Sequence, residues 1–76
     1  MKDLIREIVQ ALVDQPEIVS VFEIVGENTN VLEVKVAKSD MGKVIGKQGR
    51  TVQAIRTILS AVSGKTRKNY TLVIVE

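Results

Sequence analysis

Three glycines, Gly42, Gly46 and Gly49, fall within eight residues of a segment otherwise patterned for helix. Glycine inside a helix costs about 0.5–1 kcal/mol relative to alanine, so each of them calls for a structural reason. On the near side, Ser39 and Asp40 are N-cap types that open a short helix running to about Ile45. On the far side, Val52, Ile55, Ile58, Leu59 and Val62 repeat at helical spacing up to Ser63-Gly64, with Gly64 placed as the residue just past the helix end. Gly46 and Gly49 therefore bracket a tight turn between two helices. The rest of the chain has to pack around that corner.

Leu4, Ile5, Ile8, Val9, Leu12 and Val13 recur at helical spacing opposite Lys2, Arg6, Glu7, Gln10 and Asp14. This predicts an amphipathic helix with Asp3 as its N-cap and Pro16 as its stop. Residues from about Ile18 to Val25 are rich in β-branched types and read as a strand, and Gly26–Asn30 reads as a turn cluster. In the next strand Leu32, Val34 and Val36 alternate with Glu33 and Lys35, which turns the even positions inward. The two strands form an antiparallel hairpin. Lys65-Thr66-Arg67-Lys68 is expected as a basic loop, and Tyr70–Val75 as the last strand.

The order is αββααβ. Strand two reaches strand three through two helices, a crossover that makes those strands parallel and right-handed. The expected fold class is α+β: a three-stranded mixed sheet with helices packed on one face. A length of 76 residues allows one domain, 1–76, and no linker, repeat or low-complexity segment divides it.

Several function classes fall away on composition. Without cysteine or histidine the chain lacks thiolate ligands, a thiol nucleophile and the commonest general base. Its aspartates and glutamates are scattered rather than clustered for a cation. No catalytic residue, metal site or cofactor is therefore expected, and the chain is read as no enzyme. No apolar run approaches the ~18–20 residues of a membrane span, and the N-terminus lacks the apolar core of a signal peptide. A cytoplasmic, soluble protein is expected. With 45% hydrophobic residues the chain should fold.

Charge is distributed unevenly. Residues 1–34 hold seven acidic and two basic side chains, whereas residues 35–68 hold nine basic and one acidic, Asp40. A basic half of this kind is either a solvated face or a surface that displaces counterions from a polyanion. The glycine turn lies within it. Without Cβ atoms, Gly46 and Gly49 allow a phosphodiester chain to approach the backbone, and the N-terminal end of the following helix adds N–H groups and a positive dipole. Lys47 and Arg50 add mobile charge. A plain corner between helices needs glycine too, and the turn alone does not separate the two readings. A nucleotide-triphosphate loop is excluded: only three residues separate Gly42 from Gly46, and Gln48 stands where Ser or Thr is required. A dinucleotide fingerprint is excluded because no G-x-G occurs.

Val44-Ile45-Gly46-Lys47-Gln48-Gly49-Arg50-Thr51-Val52 resembles the V-I-G-x-x-G-x-x-I motif of KH domains, with Val52 in place of the usual isoleucine. The order αββααβ is similar to the type II KH topology over nearly the whole chain. Short length, Val34–Ala37 and Gly42–Thr57 resemble the KhpA-like (YlqC-like) group of bacterial single-KH proteins. This resemblance implies a groove for about four nucleotides of single-stranded RNA, with the backbone on Gly46, Lys47, Gln48 and Gly49. Arg50, Lys43 and Arg56 are further candidate phosphate contacts. Ile45, Val52 and Ile55 are the candidate floor for bases and Val34 and Val36 the candidate far wall, although every one of these apolar residues also fits a core position. Phe22 and Tyr70 are the only aromatics, and both lie far from the turn in sequence. Little stacking means weak intrinsic affinity and favours doubling of the domain. The resemblance also implies a homodimer, a heterocomplex with a larger KhpB/Jag/EloR-like KH-containing protein, or both. It further implies RNA-chaperone-like regulation linked to cell elongation and cell-wall synthesis. The competing reading is a KH-fold protein–protein adaptor. Gly46→Asp is expected to separate them by abolishing RNA binding while leaving dimerisation and folding largely intact.

Overall fold

The computed structural model describes residues 2–66 and 69–76. Helix α1 spans Lys2–Leu12 and turns Ile5 and Val9 fully inward. Asp3 lies inside its first turn, paired with Arg6 at 3.2 Å, and is not the N-cap. There a carboxylate still favours the positive helix end. Pro16–Ile18 form a 3-10 turn, closed by the Ile18 and Val19 N–H groups donating to the carbonyls of Gln15 and Pro16. Strand β1 accordingly begins at Ser20 and not at Ile18, because proline's fixed φ carries the chain into the turn first.

β1 (Ser20–Val25) pairs antiparallel with β2 (Thr29–Lys35), Val21 opposite Val34 and Val25 opposite Asn30. The connecting turn is shorter than expected: Gly26 N–H donates to the Thr29 carbonyl at 3.0 Å, and Thr29 and Asn30 already belong to β2. Asn30 is a turn-type residue that the strand buries, its Nδ2 donating to Glu23 Oε2 across the pair at 2.8 Å. Leu32, Val34 and Val36 are buried, as their alternation requires.

A 3-10 turn at Lys38–Asp40 leads into α2 (Met41–Ile45), and the glycine turn then leads into α3 (Arg50–Thr66). Contrary to the sequence reading, α3 continues through Gly64, Lys65 and Thr66. Gly64 does not take the left-handed conformation of a helix-ending residue. Its cost inside a helix is about 1 kcal/mol, small against continuing the ladder. Arg67 and Lys68 of the expected basic loop lie outside the described residues. β3 (Asn69–Val75) runs parallel to β2, with Val34 opposite Ile74, and the sheet order is β1-β2-β3.

The helices cover one face of this mixed sheet. Ile5 and Val9 from α1, Val44 from α2, and Val52, Ile55 and Leu59 from α3 meet Leu32, Val34 and Leu72 in one core. Each such side chain stabilises the fold by about 1.5–3 kcal/mol on burial. The other sheet face carries the exposed Phe22, Ile24 and Val73. The α+β order αββααβ thus stands as the sequence predicts, with β2 as the central strand.

Candidate nucleic-acid interface

The glycine turn owes its shape to two different requirements. Gly46 ends α2 with φ +79° and donates its N–H to the Gly42 carbonyl at 2.8 Å. A Cβ there would lie 2.2 Å from Thr51 Oγ1 and 2.8 Å from Thr51 N, so the first turn of α3 closes directly over this backbone. Gly49 also has a left-handed φ, +72°, yet nothing lies within 4 Å of its Cβ position. Glycine is needed at 46 for both internal packing and backbone angle, and at 49 for backbone angle alone, leaving an open approach from solvent at Gly49. Between them Gln48 sits at φ 58°, ψ 27°, a conformation L-residues seldom adopt.

This geometry corrects one expectation. Any side chain at Gly46, aspartate included, must displace Thr51, so Gly46→Asp disturbs the helix junction as well as any ligand. Gly49 and Gln48 are the positions at which charge can be added without such a clash.

Lys47, Gln48 and Arg50 are exposed around the turn. Among the described residues, neither Lys47 nor Arg50 is drawn into an ion pair. The positive end of a 17-residue helix adds to them. Lys43 behaves differently. Helical side chains lean toward the N-terminus, and its ammonium reaches back to hydrogen-bond Asp14 Oδ2 and to lie 3.7 Å from Asp40 Oδ1. Its pKa is raised, chiefly by the Asp14 hydrogen bond, with the charges of Asp14 and Asp40 adding to it.

Asp40 precedes α2 but makes no side-chain cap to it. Its carboxylate is buried, with 1% exposed, and accepts the backbone N–H groups of Asp14 at 3.2 Å and Gln15 at 3.1 Å. The corner after α1 is thereby tied to the start of α2. Asp40→Asn keeps the shape but loses the charge and turns an amide donor toward one of those N–H groups. It is expected to cost about 2 kcal/mol, read as a lower urea midpoint with unchanged slope. An unchanged midpoint would show that the tie carries no stability.

The apolar candidates separate by burial. Ile45, beside the turn, is 38% exposed, whereas Val52 and Ile55 are core residues at 7% and 2%. Val34 and Val36 are likewise buried, at 0% and 1% exposed, and offer no surface for a groove wall. The strand flanking α3 on its open side is β3. Between them lies a groove of about 340 Å³ lined by Arg56, Ser60, Tyr70, Thr71 and Leu72. Arg56 and Ser60 share one side of α3 with Gln53, and a rise of 1.5 Å per residue puts them about 9 and 15 Å along the axis from Arg50. The sequence reading missed Ser60, Tyr70, Thr71 and Leu72. The available signal was the parallel crossover, which makes β3 an edge strand next to α3.

The arrangement can hold an anion chain at one end of α3 and a flat, partly apolar group at the groove. Among the described residues no three acidic side chains are placed to hold a metal ion. No helix among them is long and apolar enough to cross a membrane.

Residues 2–74 match the family described as KhpA/KhpB, KH domain. The chain is similar to the RNA-binding protein KhpA of Clostridium perfringens, 49% identical over 75 residues, covering 99% of this chain and 100% of that one. Its identity to the RNA-binding protein KhpA of Caldanaerobacter subterraneus is 53% over 76 residues, covering 100% of this chain and 97% of the other. With the RNA-binding protein KhpA of Aquifex aeolicus it is 46% over 76 residues, covering 100% and 96%. Among solved structures, none matches.

Proposed function

The chain belongs to the KhpA/KhpB KH-domain family, and on that premise we propose that it is a non-catalytic single-domain protein that binds single-stranded RNA. The RNA backbone lies across Gly46–Gly49, held by Lys47, Gln48 and Arg50 and by the N-terminal end of α3. Bases leave it along α3 past the exposed Ile45 surface or into the groove beside Arg56 and Tyr70. Val52 and Ile55 shape that surface from beneath, and Lys43 stands at its border. The observation that carries this reading is the open left-handed Gly49 at the head of α3, beside Lys47 and Arg50, which form no ion pair among the described residues. In the same reading the protein acts in the cytoplasm as a homodimer or with a larger KhpB/Jag/EloR-like KH-containing protein. There it serves as an RNA chaperone or post-transcriptional regulator tied to cell elongation and cell-wall synthesis.

Fluorescence anisotropy with short labelled single-stranded RNAs tests the core of the proposal. About three phosphate contacts give a log–log salt slope near −2 for a single strand. Affinity should then fall by roughly fifteenfold between about 50 and 200 mM salt. A flat salt response would remove the backbone grip from consideration.

A second reading has its own support. The sheet face opposite the helices exposes Phe22, Ile24 and Val73, and an adaptor would use such a surface for a protein partner. Under that reading RNA affinity of the isolated chain is negligible at any salt concentration.

A further inference from the structure

Lys43 stands on α2 three residues before Gly46, yet its charge is already matched. Asp14 accepts its hydrogen bond, and the buried Asp40 carboxylate lies 3.7 Å away. The two aspartates do different work in this cluster. Asp40 is built into the fold, since its oxygens take the backbone N–H groups of Asp14 and Gln15. The Asp14 side chain has no such duty. Its main-chain N–H makes the tie to Asp40, while its own carboxylate is 76% exposed and, among the described residues, bonds only Lys43. Lys43 is itself 45% exposed, so its four-carbon stem is free to swing once the partner charge is gone.

We infer that Asp14 attenuates the affinity of the glycine loop for an RNA backbone by holding Lys43 away from the phosphate path. The inference rests on the reading of Gly46–Gly49 as the backbone site. Lys47 and Arg50 meet a phosphate with their charge unspent, whereas Lys43 must first leave a carboxylate. A phosphate arriving at the loop therefore competes with Asp14 for one ammonium. The raised pKa of Lys43, caused first by the Asp14 hydrogen bond, agrees with a cation held in place rather than one held in reserve without a partner.

Asp14→Asn removes the charge and keeps the backbone N–H that Asp40 needs. With a labelled oligouridine of about ten nucleotides at low salt, D14N should bind about two- to fivefold more tightly than the parent, the range expected for release of an exposed ion pair. One added phosphate contact should also steepen the log–log salt slope by about 0.7. The decisive comparison repeats the substitution in a K43Q background, where the gain should disappear. An equal gain in both backgrounds would reduce Asp14 to a distant negative charge and overturn the inference, as would no gain with Lys43 present. The parent and its Lys47→Asp/Gln48→Asp variant, run alongside, keep the two questions apart. Binding that this variant loses while D14N brings no gain overturns the attenuator alone. Absence of binding by the parent overturns the loop reading and the attenuator with it.

Discussion

Changing Lys47 and Gln48 together to aspartate is expected to weaken RNA binding by about a hundredfold at ~0.1 M salt, roughly 2.7 kcal/mol, with little change in melting temperature. The loss in binding comes from two effects at one place. A phosphate contact disappears, and two carboxylates stand where the RNA backbone would lie. The fold is spared because both side chains are exposed and neither takes part in the core. Gln48 occupies a left-handed conformation, and aspartate adopts that region more readily than glutamine. Calorimetry or circular dichroism, run beside the anisotropy titration, separates lost binding from lost fold. Unchanged affinity in a folded variant would make the loop a structural corner and leave the adaptor reading in possession of the molecule.

Gly46→Ala should be among the most damaging single substitutions for the fold. The new methyl carbon would sit 2.2 Å from Thr51 Oγ1 and 2.8 Å from Thr51 N at a φ of +79°. The hydroxyl can rotate away, but the backbone nitrogen cannot. The Gly46 backbone, at φ +79° and ψ 168°, lies in a region nearly restricted to glycine and costs about 1–3 kcal/mol, and shifting the first turn of α3 adds about 1–3 kcal/mol. At about 4–8 °C per kcal/mol for a domain of this size, the melting temperature should fall by roughly 10–45 °C. Gly49→Ala offers the contrast, since its Cβ meets nothing within 4 Å and only the backbone term of about 1–2 kcal/mol applies. Equal losses at the two positions would mean that α3 does not close over Gly46 as described.

The difference between these glycines marks how far the sequence could be read. A motif spacing shows that two positions require glycine, but not why: at 46 Thr51 closes over the backbone, whereas at 49 the space is open and only the left-handed φ excludes a side chain. Leu32, Val34 and Val36 were legible as an inward row because one buried face imposes a period of two. Element ends were less so. Asn30 resembles a turn residue until Glu23 comes across the hairpin to meet it, and Gly64 resembles a helix terminator although α3 passes through it. Asp40 looks like a cap, and only the return of the chain past Asp14 and Gln15 shows what its carboxylate holds. The groove was the largest omission. Tyr70 lies far from the glycine turn along the chain, and β2 is the strand nearer to it in sequence. Which strand stands at the edge is decided by the crossover, a relation no local pattern contains.

The central position of β2 has a consequence for how the protein is made. One neighbour, β1, has already been synthesised when β2 emerges, but the other, β3, follows about thirty residues later. At a synthesis rate of about 5–20 residues per second, that interval is roughly two to seven seconds. A hairpin can form in microseconds, but two strands alone are marginal in water, so before β3 arrives β1 and β2 pair only transiently unless α1 packs on them. For the whole interval one side of β2 presents free N–H and C=O groups beside Leu32 and Val34, which are not yet covered. Until β3 arrives, that free side of β2 is the sheet edge through which one unfinished chain would pair with another.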